Sequence, residues 1–292
     1  SDTYMLIQDM QVSVMPTFHR RSKNGTAPKF VFTNPPVLDT QRIFVSGISG
    51  RDHSFDITQA CTEFIEKTTQ QLMAYGRVYY ELVYKVEEGV LKSFSFESIP
   101  EKYLFKIFRN YYQVIPWWVA YKAHTRAGII KIPASKVLDI KFPKELGGLR
   151  NLRKTLKRMY RISENVLPPF TVNSMKNNEE TGFDSNEYSK DKYLEIAKLT
   201  KNFGWNQRSR KNNYTTEFYY FKRYLDSQLA FVILREHILE NLNQFLNNSI
   251  TNLGTTIKME GYTTRTEIKD WRAKMLYGGL KFMDLFNDLK DR

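Results

Sequence analysis

A chain of 292 residues with 41% hydrophobic and 14% aromatic residues has enough apolar surface for a sizeable core, which excludes a disordered protein. Its 44 Lys and Arg outnumber its 31 Asp and Glu, and the net charge of +13 favours a polyanionic partner, nucleic acid first. Cys61 is the single cysteine, so an internal disulfide and zinc held by several cysteines are excluded; no apolar run is long enough to span a bilayer.

Residues 1–51 are polar and rich in turn formers. Short apolar runs at 4–7, 30–32 and 43–45 are set apart by Pro16, Gly25, Pro28, Pro35 and Pro36. This pattern predicts two or three edge strands, or an arm wrapping a neighbour. The basic run 19–23 reads as a solvated turn able to touch phosphate.

From Asp56 the pattern changes. Ile57, Cys61, Phe64, Ile65, Thr68, Leu72 and Tyr75 recur mostly at steps of three and four, which places them on one helical face. Asp56 is placed to cap the first turn, with Gln59 positioned to bond back to it. Cys61 on this face reads as a buried, inert thiol. At Gly76 the period becomes two: Val78, Tyr80, Leu82, Tyr84 and Val86 alternate with a second set. Glu87, Glu88 and Gly89 turn the chain, and a return strand over 90–96 puts Phe94 and Phe96 on one face before Pro100 stops it.

Three short aromatic or β-branched strands follow, at 103–108, 113–121 and 129–132, and predict an antiparallel meander. Pro116 marks the middle one as an edge or a bent strand, and Trp117 and Trp118 read as core and edge packing rather than as a base-stacking platform. After Gly147 and Gly148 comes an amphipathic helix. Leu149, Leu152, Leu156, Met159 and Val166 form its apolar stripe. Arg150, Lys154, Lys157 and Arg161 lie opposite, Arg153 and Arg158 flank them, and Glu164 is the one acid before Pro168 and Pro169. Two readings stand: a face turned to DNA or an acidic partner, or a solvated run of charge.

Residues 171–214 are the least regular, with a loop expected at 177–182 and a short helix within 190–203. The stretch 201–213 mixes Lys201, Arg208, Arg210 and Lys211 with Phe203 and Trp205 and has no acid. It suits a solvated linker, and also a strand of phosphates and bases. A long helix is expected over 215–248, buried nearly all round near residues 231–234. A strand over 253–259 follows, and Thr264 with Glu267 makes a capping box that opens a last helix through Trp271, Met275 and Leu276. The fold class read from these elements is α+β: an antiparallel aromatic sheet flanked by helices, followed by a mainly helical C-terminal half.

No phosphate-binding loop, dinucleotide fingerprint, zinc-protease motif or nucleophile elbow occurs. His19, His53, His124 and His237 have no ligand spacing. Asp139, Lys141 and Glu145 are the one trio that could form a nuclease metal site, and an alternating strand explains them as well. The expectation is a protein without catalysis or cofactor.

Several segments, taken in order, carry a family resemblance. A helix ending in Leu72-Met73-Ala74-Tyr75-Gly76 leads into Arg77-Val78-Tyr79-Tyr80-Glu81-Leu82-Val83, then a hairpin at Gly89 and a strand closing on Ile99-Pro100. Pro133-Ala134 followed by Val137-Leu138-Asp139-Ile140 comes next, then Gly147-Gly148-Leu149 with Leu152, and much later Tyr277-Gly278-Gly279-Leu280. This order resembles the portal proteins of tailed phages. Arg150-Asn151 departs from the serine-proline pair common there, and the largest departure lies between Pro168 and Thr215, where the family carries a second stem helix and a clip module; this chain is shorter than most relatives.

The resemblance implies an N-terminal arm and wing-like region over 1–148, a basic stem-like helix with a reduced clip-like segment over 149–214, and a wing- or crown-like part over 215–292. It implies a closed homo-oligomeric ring, typically of about twelve copies, at one capsid vertex of a virion, assembled in the host cytoplasm. Double-stranded DNA would pass through its channel, driven by a separate terminase. The major capsid protein and head–tail connector proteins would dock on it, and no membrane is involved. Arg150, Lys154, Lys157, Arg158, Arg161, Lys201, Arg208, Arg210 and Lys211 are the expected polyanion contacts. The alternatives are a free-standing nucleic-acid-binding or scaffolding module and a metal-dependent nuclease.

Overall fold

The computed structural model describes residues 1–15, 28–35, 38–49, 56–88, 90–122, 127–163, 185–205, 216–249 and 255–278. In chain order the helices are α1 (Asp2–Val14), α2 (Leu38–Ser49), α3 (Ile57–Tyr75), α4 (Trp117–Lys122), α5 (Gly148–Ser163), α6 (Ser185–Leu199), α7 (Glu217–Ser249) and α8 (Arg265–Leu276). The strands are β1 (Lys29–Phe32), β2 (Arg77–Glu87), β3 (Val90–Ile99), β4 (Leu104–Ile107), β5 (Asn110–Ile115), β6 (Gly128–Pro133), β7 (Val137–Lys141) and β8 (Ile257–Glu260). The fold is α+β, with antiparallel sheets flanked by helices and a helical C-terminal part. Two compact units interleave along the chain. One comprises Ser1–Ala27, Phe142–Arg235 and Tyr262–Arg292, the other Pro28–Lys141 and Glu236–Gly261. The segments 1–148, 149–214 and 215–292 do not coincide with them, and the boundary falls once inside α7.

The unit holding the sheets is built on α3. Asp56 caps it, accepting from the Thr58 N–H at 2.8 Å, and the Gly76 N–H closes it on the Leu72 carbonyl at 2.7 Å. Gln59 does not complete a capping box; its amide donates to Glu63 one turn on. Cys61, Phe64, Ile65, Thr68 and Leu72 are buried as expected, whereas Tyr75 is exposed. Burial, and secondarily Asp56, push the Cys61 thiol pKa up, so the sulfur stays protonated.

The buried face of α3 covers the sheet β3-β2-β7. Val78, Tyr80 and Leu82 point into this layer with Phe94 and Phe96. The Tyr80 and Thr68 hydroxyls bond at 2.9 Å. On the other face of this sheet, Tyr79, Ile99 and Val137 pack with Leu104, Tyr111 and Ile132 of the meander β4-β5-β6. The third sheet among the described residues pairs β1 with β8, and Asn243 of α7 fixes it by bonding both the N–H and the carbonyl of Ile257 at 2.8 Å.

Two N-terminal expectations are corrected. Among the described residues up to 51, only β1 is a strand; residues 2–14 and 38–49 are helical. In α1, Leu6, Met10 and Val14 are buried at steps of four; in α2, Phe44, Val45 and Ile48 are buried, with the Phe44 ring stacked on Phe94. The strand expected over 113–121 ends at Ile115. Pro116 supplies no ladder N–H, and its carbonyl accepts from Val119 and Ala120 to start α4. Trp117 and Trp118 stand on that helix 71% and 51% exposed, so they are not core residues.

In the helical unit, α7 packs Phe221, Leu225 and Val232 against Ile268, Trp271 and Met275 of α8. The Thr264–Glu267 capping box is present. Arg223 is buried and donates to the Ala197 carbonyl at 2.9 Å, the Thr200 hydroxyl at 3.1 Å and the Trp205 carbonyl, tying the end of α6 to α7. Arg235, also buried, donates to the Val14 carbonyl at 3.0 Å and satisfies the C-terminal end of α1. Among the described residues no helix is long and apolar enough to cross a membrane.

Candidate nucleic-acid interface

Helix α5 begins at two successive glycines in the left-handed region, Gly147 at φ 100° and Gly148 at φ 68°. A side chain there would be strained, and at Gly147 a Cβ would also meet the Asn151 amide. This turn sets the direction in which α5 leaves the preceding short helical turn.

The helix then divides cleanly. Leu152, Thr155, Met159 and Ile162 are buried, with Leu152 and Met159 fully so, and they pack on α1 and α6. The Thr155 hydroxyl faces the Leu199 carbonyl of α6 at 3.5 Å. Arg150, Lys154, Lys157 and Arg161 recur at steps of four, three and four on the opposite side, and all four are exposed. Arg153 and Arg158 broaden the line, and the helix contains no acid. Among the described residues no acid pairs with Arg150, Lys154, Lys157, Arg158 or Arg161. At 1.5 Å per residue the line is roughly 16 Å long. Val166, expected to extend the apolar stripe, and the Pro168-Pro169 stop lie outside the described residues.

Magnitudes explain how such a helix folds. Each like-charge pair three or four residues apart costs about 0.2–0.5 kcal/mol, and cations in the first turn oppose the helix dipole. Burying Leu152, Met159 and Ile162 returns about 1.5–3 kcal/mol each. Packing therefore outweighs repulsion, and the cationic face contributes nothing to the stability of the isolated chain. An anion laid along it would relieve the repulsion.

The remaining expected contacts divide. Lys201 is exposed on the short turn after α6, while Arg208, Arg210 and Lys211 lie outside the described residues. The aromatics interleaved with them are not available for base stacking. Phe203 is buried edge-on to Phe142, and Trp205 is buried with its indole N–H on Asp9. Tyr160, exposed beside the α5 cations, was passed over at the sequence level because it sits off both stripes.

The trio considered as a nuclease site is engaged otherwise. Asp139 accepts two bonds from Arg77, at 2.7 and 2.5 Å, and one from the Tyr111 hydroxyl at 3.2 Å. That carboxylate helps hold both partners' pKa values above their ordinary range, with desolvation the larger cause at Tyr111. Glu145 pairs with Arg265 at 2.6 Å. Among the described residues no group of three His, Cys, Asp or Glu could hold a metal ion. No family model matches this chain, and no curated protein matches it.

Proposed function

We propose that this chain is a portal-like protein of a tailed phage: a non-catalytic subunit of a closed ring at one capsid vertex, through which double-stranded DNA is packaged and ejected. The observation that carries the reading is the exposed, acid-free line of Arg150, Lys154, Lys157 and Arg161, opposite the buried Leu152, Thr155, Met159 and Ile162. Repeated around a bore, such lines would meet phosphates without reading bases, which suits a duplex that must slide. The order of helix, strand, hairpin and meander adds the resemblance to the portal family. The terminase, the major capsid protein and the head–tail connector proteins are the partners this role requires.

A free-standing nucleic-acid-binding module is the second reading, favoured by the completeness of the α5 face within one copy. Negative-stain electron microscopy of the purified chain separates the two. Annular particles with a bore wide enough for a duplex support the portal reading; solitary particles at high concentration overturn it and leave the module.

A further inference from the structure

The meander β4-β5-β6 has two faces of different character. Leu104, Tyr111 and Ile132 turn inward and are buried. Alternation sends Phe105, Ile107, Tyr112, Val114, Ile129 and Lys131 to the other face. That face is open on its outer strands, where Phe105 is 45% and Ile129 68% exposed, while Tyr112 and Val114 on the central strand are half-buried. The register sets Phe105 opposite Tyr112 and Tyr112 opposite Lys131, so two rings and a cation stand in one row across three adjacent strands. Asn110, opposite Ile107, adds a polar group to the next row.

Between Glu101 and Asp139 the chain holds no acid and seven Lys or Arg. Of these, Lys131 belongs to the outward face by register, whereas Lys106 lies over the inward Tyr111 ring at 5.2 Å and Lys136 over the Tyr84 ring of β2 at 4.9 Å. Lys131 is exposed, and among the described residues no acid pairs with it.

We propose that this outward face binds single-stranded nucleic acid. Rings on neighbouring strands, separated by about one strand spacing of roughly 4.8 Å, can stack on successive unpaired bases, and Lys131 at the end of the row meets the backbone between them. Charge complementarity selects an anion, and the two rings in register select one with exposed π faces. A duplex presents its phosphates but hides those faces, so this site discriminates against it. The inference does not rest on the ring proposed above, because the whole row belongs to one copy.

The test is fluorescence anisotropy of the full chain with a labelled oligothymidine of about twelve nucleotides and with a duplex of the same length. Phe105→Ala weakens the single strand about tenfold, the size of one lost base–ring stack, and leaves duplex binding unchanged. Phe105→Tyr, which keeps the ring, retains affinity. Lys131→Glu lowers the salt slope by about one for the single strand. If Phe105→Ala fails to fold, the Phe105→Tyr and Lys131→Glu results decide alone. The proposal is overturned if the wild type does not bind the oligothymidine. It is also overturned if Phe105→Ala or Lys131→Glu weakens duplex and single strand equally, or leaves the single strand unaffected. Binding to phosphatidylserine-containing vesicles with no affinity for the oligothymidine overturns it in favour of a lipid surface, and concentration-dependent dimerisation abolished by Phe105→Ala overturns it in favour of a second copy.

Discussion

Trp205 donates its indole N–H to the Asp9 carboxylate across 2.9 Å, joining the turn after α6 to helix α1. The contact makes an aromatic embedded in a basic stretch a tether of the core rather than a stacking platform. Trp205→Phe keeps most of the ring but loses this bond. It should lower stability by about 1.5–3 kcal/mol, the usual worth of a hydrogen bond to a charged group, with duplex affinity unchanged. Urea unfolding and anisotropy on the same preparation check both halves.

Arg223 carries a heavier load. Its guanidinium is buried and bonds the Ala197 carbonyl, the Thr200 hydroxyl and the Trp205 carbonyl. Arg223→Met fills similar space yet strands those acceptors, each at about 1–3 kcal/mol. The variant should lose about 3 kcal/mol or more, read as a fall in the denaturation midpoint. An unchanged midpoint would mean that water replaces the guanidinium there.

Gly47 of α2 lies against Phe94 so closely that an added Cβ would sit 1.8 Å from the ring and 2.5 Å from its backbone oxygen. Gly47→Ala gains about 1 kcal/mol of helix propensity but forces α2 off β3. The displacement also disturbs the Phe44–Phe94 stack. Net destabilisation of about 1–3 kcal/mol is expected from overpacking, and a thermal midpoint that rises would refute this packing.

Burial pushes the Tyr80 hydroxyl up to about 12 from an ordinary value of 10, partly offset by its bond to Thr68. The folded pKa lies above the unfolded one. The stabilisation is therefore complete below pH 10 and is lost as the pH climbs from 10 through 12. A two-unit shift amounts to roughly 2–3 kcal/mol. Stability measured against pH should fall in that window, and Tyr80→Phe should flatten the fall.

Local signals in the sequence were readable where one turn or one period settles the outcome. The Asp56 cap, the alternation through Val78, Tyr80 and Leu82, and the Thr264–Glu267 box each need only neighbours along the chain. On α5 the helical period gives the exposed cations and, of the apolar stripe, Leu152 and Met159; Leu149 and Leu156 are half-buried, and Thr155 and Ile162 complete the buried side. Helices α1 and α2 are not legible because Leu6, Phe44 and Val45 fall inside short apolar runs that look like strands, while Met10, Val14 and Ile48, which complete the helical spacing, lie outside those runs among polar residues. Trp205 and Phe203 read as belonging to a nucleic-acid contact or a solvated linker, because composition cannot reveal Asp9 or Phe142 as their partners. Likewise Arg77 captures Asp139 only because β2 and β7 are sheet neighbours, and β1 finds β8 from the far end of the chain. Such pairings depend on register between distant strands.

The salt dependence of duplex binding probes the outward line of α5 most directly. In the wild type, log K for a random-sequence duplex should fall linearly with log salt, with a slope of about −3 or steeper, close to −0.9 for each phosphate neutralised. Replacing Lys154 and Lys157 together by Glu should flatten that slope by about two, while the unfolding midpoint does not fall, because like-charge pairs with Arg150, Arg153, Arg158 and Arg161 become attractive. A slope that the double variant leaves unchanged, or a wild-type chain that ignores duplex DNA at low salt, would contradict the account.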